Sequence, residues 1–332
     1  MKTADALALV QSAYPDVTSV TSQSQIATLW AGMGSILRLQ CKDASGSVKT
    51  VIAKYIKCTN PKSFGDKRKR DSYHVETAFY GSRYCSDLSK GHICCRGLHT
   101  EDDGNGEITI LMSPLPNSTI HYMQGDAAKA AVCSVARLHA YFWGNEKADA
   151  AVDAGLAKQG TYWYLDTRPD EYESMSKHGL SGKLKKAAHA IDEALKSHKY
   201  QTICHGDLKA CNMSMSESPS YVTFVDFQYL GKACPAKDLA YLFCCGMDID
   251  HDFEERQERE MLEIYIKEMS ANGVGSEDVV GDPLPTAEEL TEALDLAYCD
   301  LYRWMLGWGV WGNGFLEERV EKVLNGLVDK YG

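Results

Sequence analysis

Residues 203–228 set an aspartate, an asparagine and a second aspartate at intervals that suit one kind of chemistry. In His205-Gly206-Asp207-Leu208-Lys209-Ala210-Cys211-Asn212 the asparagine follows the first aspartate by five residues. Tyr221-Val222-Thr223-Phe224-Val225 then leads, as a short β-like apolar run, into Asp226-Phe227-Gln228. Phosphoryl transfer to a hydroxyl needs one carboxylate to orient or receive the hydroxyl proton. It also needs an amide and a second carboxylate to hold Mg²⁺ on the nucleotide phosphates. An Asp and an Asn at this spacing are common by chance; the strand ending in Asp-Phe behind them makes the set specific.

Two further features suit a nucleotide. After a Ser-Gly turn, residues 48–57 read as a strand, with Ile52, Lys54 and Ile56 on one face. A lysine between two isoleucines wants an anionic partner. Glu76, in a helical stretch over 71–84, can supply it, with Lys54 gripping the α/β-phosphates. Upstream, residues 26–30 and 36–40 read as strands around Ala31-Gly32-Met33-Gly34-Ser35. The glycines there either let the backbone approach a phosphate or simply make a β-turn. Residues 1–25 read as a short helix and a polar lead-in. The basic run 62–70 reads as a solvated, mobile loop, with a phosphate guard or a nuclear localisation signal as alternatives.

A strand over 107–112 ends at Ser113-Pro114-Leu115-Pro116, where prolines start a connection. The expected boundary therefore divides residues 1–115, a nucleotide-binding lobe, from 116–332, a catalytic and substrate-binding lobe. A helix over 127–142 carries Val132, Val135, Leu138 and Phe142 at core spacing, with His139 beside them as a structural histidine. Residues 144–200 read as mostly helical, interrupted by the aromatic and charged stretch 162–170. Asp238 is expected to cap the helix it opens. Tyr298, Tyr302, Trp304, Trp308, Trp311 and Phe315 form either lobe core or an acceptor site that cages a quaternary ammonium or stacks on a sterol-like ring, with Trp308 or Trp311 lining the acceptor pocket.

The whole composition excludes several classes. A net charge of −11 argues against nucleic acid as the main partner. The apolar runs are too short to span a bilayer, and an acid near the start does not suit a secretory signal, so the expected setting is cytoplasmic. The twelve cysteines contain no C-x-x-C pair and read as buried, reduced thiols.

Taken together, His205-Gly206-Asp207-Leu208…Asn212, Val225-Asp226-Phe227-Gln228 and Gly231…Pro235-Ala236…Asp238-Leu239-Ala240-Tyr241 resemble the ecdysteroid-kinase-like (CHK-like) branch of the aminoglycoside phosphotransferase and choline kinase superfamily. Gly32, Gly34, Lys54, Glu76 with Phe79-Tyr80, and Leu138-His139-Ala140 support the likeness, which covers about residues 26–245. The resemblance implies an α+β, protein-kinase-like bilobal fold with a small β-rich N-lobe and a larger, mainly helical C-lobe. It implies an ATP- and Mg²⁺-dependent phosphotransferase whose acceptor is the alcohol group of a choline-, aminoglycoside- or ecdysteroid-like metabolite. Asp207 is then the catalytic base, Lys209 a contact to the γ-phosphate, and Asn212 and Asp226 the metal ligands. Lys54 and Glu76 form the phosphate-binding pair beside the loop of Gly32, Gly34 and Ser35, and Ile52 roofs the adenine. Pro114 offers no N–H, so Met112 and Leu115 are expected to supply the backbone groups at the hinge.

A protein kinase fits less well. No A-P-E follows Asp226, and only eleven residues separate it from Asp238. A catalytically inactive nucleotide- or partner-binding module is the other alternative, although Lys54, Asp207, Asn212 and Asp226 are all intact.

Overall fold

In a computed structural model, which describes residues 3–115, 123–215, 221–247, 255–276 and 282–331, the chain divides into two compact units, Met1–Pro116 and Asn117–Gly332. Pro116, at the end of the expected linker, lies outside the described residues.

The first unit is a five-stranded antiparallel sheet in the order β1-β2-β3-β5-β4. Its elements are α1 (Thr3–Ala13), β1 (Val17–Thr28), β2 (Gly34–Asp43), β3 (Val48–Lys57), α2 (Phe64–Tyr80), α3 (Arg83–Lys90), β4 (Gly97–Asp102) and β5 (Glu107–Met112). Alternation along β3 sorts the two faces. Val51 and Ala53 join Leu37, Leu39, Cys41 and Leu111 under Ala6, Leu9 and Val10 of α1. Ile52, Lys54 and Ile56 are buried on the other side.

Two expectations change here. The polar lead-in before residue 26 is most of β1, an edge strand that is exposed beyond Val17 for nearly its whole length. Ser, Thr and Gln suit an edge, and they hide the apolar alternation by which a strand is recognised. The basic run 62–70 is no loop beyond Ser63, because α2 begins at Phe64. Ser63 Oγ accepts from the Asp66 amide at 3.0 Å, and the Asp66 carboxylate accepts from the Ser63 amide at 3.0 Å. This reciprocal cap satisfies two otherwise unpaired donors and starts the helix early.

The second unit holds α4 (Gly125–Tyr141), α5 (Asn145–Asp153), α6 (Pro169–Ser174), α7 (Gly179–Lys196), β6 (Thr202–Cys204), β7 (Met213–Met215), β8 (Val222–Phe224), β9 (Gly231–Ala233), α8 (Ala236–Tyr241), α9 (Glu255–Ala271), α10 (Ala287–Trp308) and α11 (Phe315–Tyr331). Val132, Val135 and Leu138 of α4, with Phe142 just beyond it, are buried as their spacing requires. Tyr298, Tyr302 and Trp304 of α10 are core as well, whereas Trp308 is 59% exposed at the helix end. Two short antiparallel ladders, β6 with β9 and β7 with β8, frame the loop 205–212 and the turn at Asp226. A buried network fixes α10 to the chain before α6. Asp300 accepts from Lys237 Nζ at 3.0 Å and Arg303 Nε at 2.8 Å, and a further Arg303 nitrogen donates to the Trp163 carbonyl at 2.7 Å. Among the described residues no helix is long and apolar enough to cross a membrane.

Candidate active site

Loop 205–212 is held from behind by one buried carboxylate. Asp238 accepts from the His205 amide at 2.6 Å and the Gly206 amide at 2.9 Å, and its Oδ2 lies 3.1 Å from His139 Nε2. This corrects the expected cap: no side chain caps α8, and Asp238 spends its oxygens on the loop instead. His139 is structural as expected, with its second nitrogen 2.8 Å from the Tyr265 hydroxyl. Gly206 has φ +84°, and a Cβ there would sit 2.6 Å from the Tyr229 carbonyl oxygen and 2.7 Å from the Thr161 nitrogen, so only glycine fits. Cys204 completes a buried trio with His139 and Asp238 whose donor atoms lie within 4.8 Å of one another. It does not make a metal centre. Burial pushes the Cys204 thiol well up, which disfavours the thiolate a metal needs, and the carboxylate is already bonded.

His205 ties this loop to the turn at Asp226. The Asp207 amide donates to its Nδ1 at 3.3 Å, so the ring proton is on Nε2, 3.0 Å from the Val225 carbonyl. Burial lowers the His205 pKa and keeps the ring neutral. The Val225 amide in turn donates to the Asn212 carbonyl at 2.9 Å. Asp226 itself has left-handed backbone angles, φ 67° and ψ 60°, which aspartate tolerates better than most residues.

Asp207 is only 3% exposed. Its Oδ2 accepts from Lys209 Nζ at 2.8 Å and from Asn212 Nδ2 at 2.9 Å, while its Oδ1 is buried with no hydrogen-bond partner. Burial is the main cause of a raised Asp207 pKa; Lys209 opposes it and Asp226 adds to it. Burial pulls the Lys209 pKa down, but the charge and the hydrogen bond of Asp207 together raise it further, so Lys209 stays protonated. A carboxylate oxygen left without a donor, with a raised proton affinity, is what a base needs before its substrate arrives.

Asn212 gives both amide hydrogens to Asp207, one to Oδ2 and one to the main-chain carbonyl at 2.9 Å, which fixes its Oδ1 as the outward atom. That amide oxygen and the Asp226 carboxylate are hard donors of the kind Mg²⁺ takes alongside phosphate oxygens. The raised Asp207 pKa, to which Asp226 contributes, marks negative charge that a cation would relieve. The donor set fits the metal.

In the first unit, Lys54 Nζ donates to Glu76 Oε2 at 2.6 Å, with side chains 4% and 1% exposed. Ile52 lies two residues away on the same face, opposite Met112 in the ladder. Leu115 follows β5 and is partly exposed. The glycine loop is a tight turn whose amides are largely spent: Gly32 donates to the Leu29 carbonyl at 3.1 Å and Met33 to the Trp30 carbonyl at 3.3 Å. Gly34 is required by strand packing, since a Cβ would meet the Tyr55 carbonyl oxygen at 2.0 Å. Ser35 lies in β2 between Thr28 and Tyr55. The structure thus gathers Asp207, Lys209, Asn212 and Asp226 in one unit, and Lys54, Glu76 and Ile52 in the other.

Sequence reasoning missed Thr161, Tyr162 and Cys245 beside Asp207. Thr161 abuts Gly206, and a Cβ on Gly246 would meet the Leu208 carbonyl oxygen at 2.6 Å, so both segments touch the loop. The available signal was the aromatic cluster after Gly160, with no local pattern to say where it folds.

Fold and site define a protein-kinase-like architecture. Two solved structures share it. An amicoumacin kinase in complex with AMP-PNP, Ca²⁺ and Ami is 12% identical, with 96% of this chain and 89% of that chain covered at a TM-score of 0.52. An ethanolamine kinase of Plasmodium vivax is also 12% identical, with coverages of 95% and 83% and a TM-score of 0.51. The ecdysteroid kinase-like family matches residues 161–273, which include the loop, Asp226 and Asp238, so the resemblance read from those motifs holds for that stretch. No curated protein sequence matches the chain.

Proposed function

We propose that this chain is an ATP- and Mg²⁺-dependent phosphotransferase acting on the alcohol group of a small molecule. One observation carries the reading: a buried carboxylate oxygen on Asp207 with no partner, fixed by Lys209 and Asn212 and close enough to Asp226 to feel its charge. In this reading Asp207 Oδ1 takes the proton of the acceptor hydroxyl. The acceptor oxygen bonds to the γ-phosphorus, and the bond to the β,γ-bridging oxygen breaks with its electron pair leaving on ADP. Lys209 offers positive charge near the transferred group. Asn212 Oδ1 and the Asp226 carboxylate would hold Mg²⁺, which when bound neutralises phosphate charge.

Residues 1–115 serve as the nucleotide-binding lobe and 116–332 as the catalytic and substrate-binding lobe. Lys54, held by Glu76, is the ligand of the nucleotide phosphates, Ile52 a wall of the adenine, and Met112 and Leu115 the source of main-chain contacts to it. The loop of Gly32, Gly34 and Ser35 has the weaker support, given its bonded amides. Twelve free thiols suit a reducing, cytoplasmic setting.

The test is ADP release from Mg²⁺-ATP over a panel of hydroxyl compounds. Turnover is expected to depend on both the metal and one class of alcohol. Nucleotide binding without turnover on any compound would favour the inactive nucleotide-binding module instead.

A further inference from the structure

A cavity of about 420 Å³ lies in the second unit, among α5, the end of α7, β9 and the start of α8. Neither the loop 205–212 nor the turn at Asp226 lines it, so it is separate from the candidate active site. Its volume falls in the range of small-molecule sites, about 300–1,000 Å³.

The lining divides by chemistry. Val152, Leu195, Ala233 and Cys234 supply an apolar floor, and burial pushes the Cys234 thiol up to about 12, so its sulfur stays uncharged. Among the described residues, the charge on the lining is four lysines and one aspartate, in a chain whose net charge is −11. Lys237 is already committed: its Nζ donates to Asp300 at 3.0 Å and lies 4.4 Å from the Trp163 ring centroid. Lys196 is held by two carboxylates, Asp192 at 2.7 Å and Asp166 at 3.0 Å. Lys158 and Lys232 are held less firmly. Lys158 is exposed, and Lys232 donates to Asp149, whose side chain is 60% exposed, at 2.6 Å. Water can solvate that aspartate when its lysine turns to a ligand, and exposed pairs of this kind exchange easily.

We propose that this cavity binds a small organic oxyanion, with the acid group held by Lys158 and Lys232 and an apolar body lying against Val152, Leu195 and Ala233. An ammonium acts as a point charge with rotatable donors, so it takes a carboxylate or a phosphate monoester alike. The aliphatic floor asks for carbon beside the charge, which a bare inorganic ion does not offer. The proposal stands apart from the phosphotransferase reading, because it uses no residue of the loop 205–212 and no nucleotide.

Calorimetric titration of the full chain with phenyl phosphate, benzoate and uncharged benzamide tests this. At least one of the two anions is expected to bind wild type, about tenfold or more tightly than benzamide does. Phenyl phosphate alone would mark the ligand as a phosphate monoester, and benzoate alone as a carboxylate. The bound anion should weaken by about tenfold or more in the double variant Lys158→Ala, Lys232→Ala, which removes both charges, and in Val152→Trp, which fills the space. Its affinity should hold in Lys209→Ala, which alters only the loop of Asp207. Far-ultraviolet circular dichroism checks that each variant folds. No binding of either anion to wild type, or equal binding of benzamide, would overturn the proposal. So would unchanged affinity in the folded cavity variants, or an equal loss in Lys209→Ala. Failure of the phosphotransferase reading would show separately, as no ADP release with any alcohol.

Discussion

Asp207→Asn is expected to lower turnover by about 10²–10⁴-fold, the span over which a positioned base acts, while nucleotide affinity stays near that of wild type. The substitution keeps the shape of the side chain and removes its charge and its capacity to take a proton. Stability should move the other way. Burial raises the Asp207 pKa, so the folded state holds this proton more tightly than the unfolded chain does. The stabilisation linked to protonated Asp207 is fully present below the ordinary carboxylate pKa of about 4 and is lost as pH rises through the raised value. At neutral pH the wild type therefore carries an ionised carboxylate in a site that disfavours it. Asp207→Asn should melt above wild type at pH 7, and the difference should shrink as pH falls toward 4. Thermal melts at the two pH values, alongside steady-state kinetics, check both halves. A variant that loses activity and also melts lower at pH 7 would mean the carboxylate is structural.

Asp238→Ala is expected to be the most damaging single change to the second unit, costing about 3–5 kcal/mol, the usual loss when one member of a buried charged set is removed. The residue is fully buried and accepts from the amides of His205 and Gly206. Alanine leaves both amides and His139 Nε2 without their acceptor in the protein interior, and each such group is costly. Asp238→Asn keeps one carbonyl oxygen and should lose less. Urea unfolding of the three proteins measures the order. Because the loop carrying Asp207 hangs on these bonds, surviving folded Asp238→Asn should show a reduced kcat more than a changed nucleotide KM. Equal unfolding midpoints for Asp238→Ala and wild type would remove this support from the account.

The chemistry-bearing parts were legible because they are local. Asp207, Lys209 and Asn212 share one loop, and Asp226 is placed by the short hairpin of β7 and β8. The partnership of Lys54 with Glu76 needed only strand alternation and a helix nearby, and the structure supplies it at 2.6 Å. What stayed hidden depends on other physics. β1 is polar because it is an edge, so its pattern resembles a lead-in. The start of α2 is encoded in Ser63-x-x-Asp66, but the basic residues that follow suit a solvated loop as well as an exposed helix face. Asp238 looked like a helix cap from its position, while its partners lie thirty-two and thirty-three residues away in sequence. Thr161, with its positive φ, and the π-helix over Leu242–Gly246 touch the loop of Asp207 from distant segments, and neither leaves a periodic trace.

The central claim is that Asn212 and Asp226 hold a divalent metal with the nucleotide in front of Asp207. Electron paramagnetic resonance of Mn²⁺ with a non-hydrolysable ATP analogue reads that directly, since bound Mn²⁺ loses its free-ion signal. The account predicts that wild type binds Mn²⁺ only with nucleotide present, and that Asp226→Ala lets the free signal return. Equal Mn²⁺ binding by wild type and a folded Asp226→Ala variant, or none by wild type with saturating nucleotide, would contradict it.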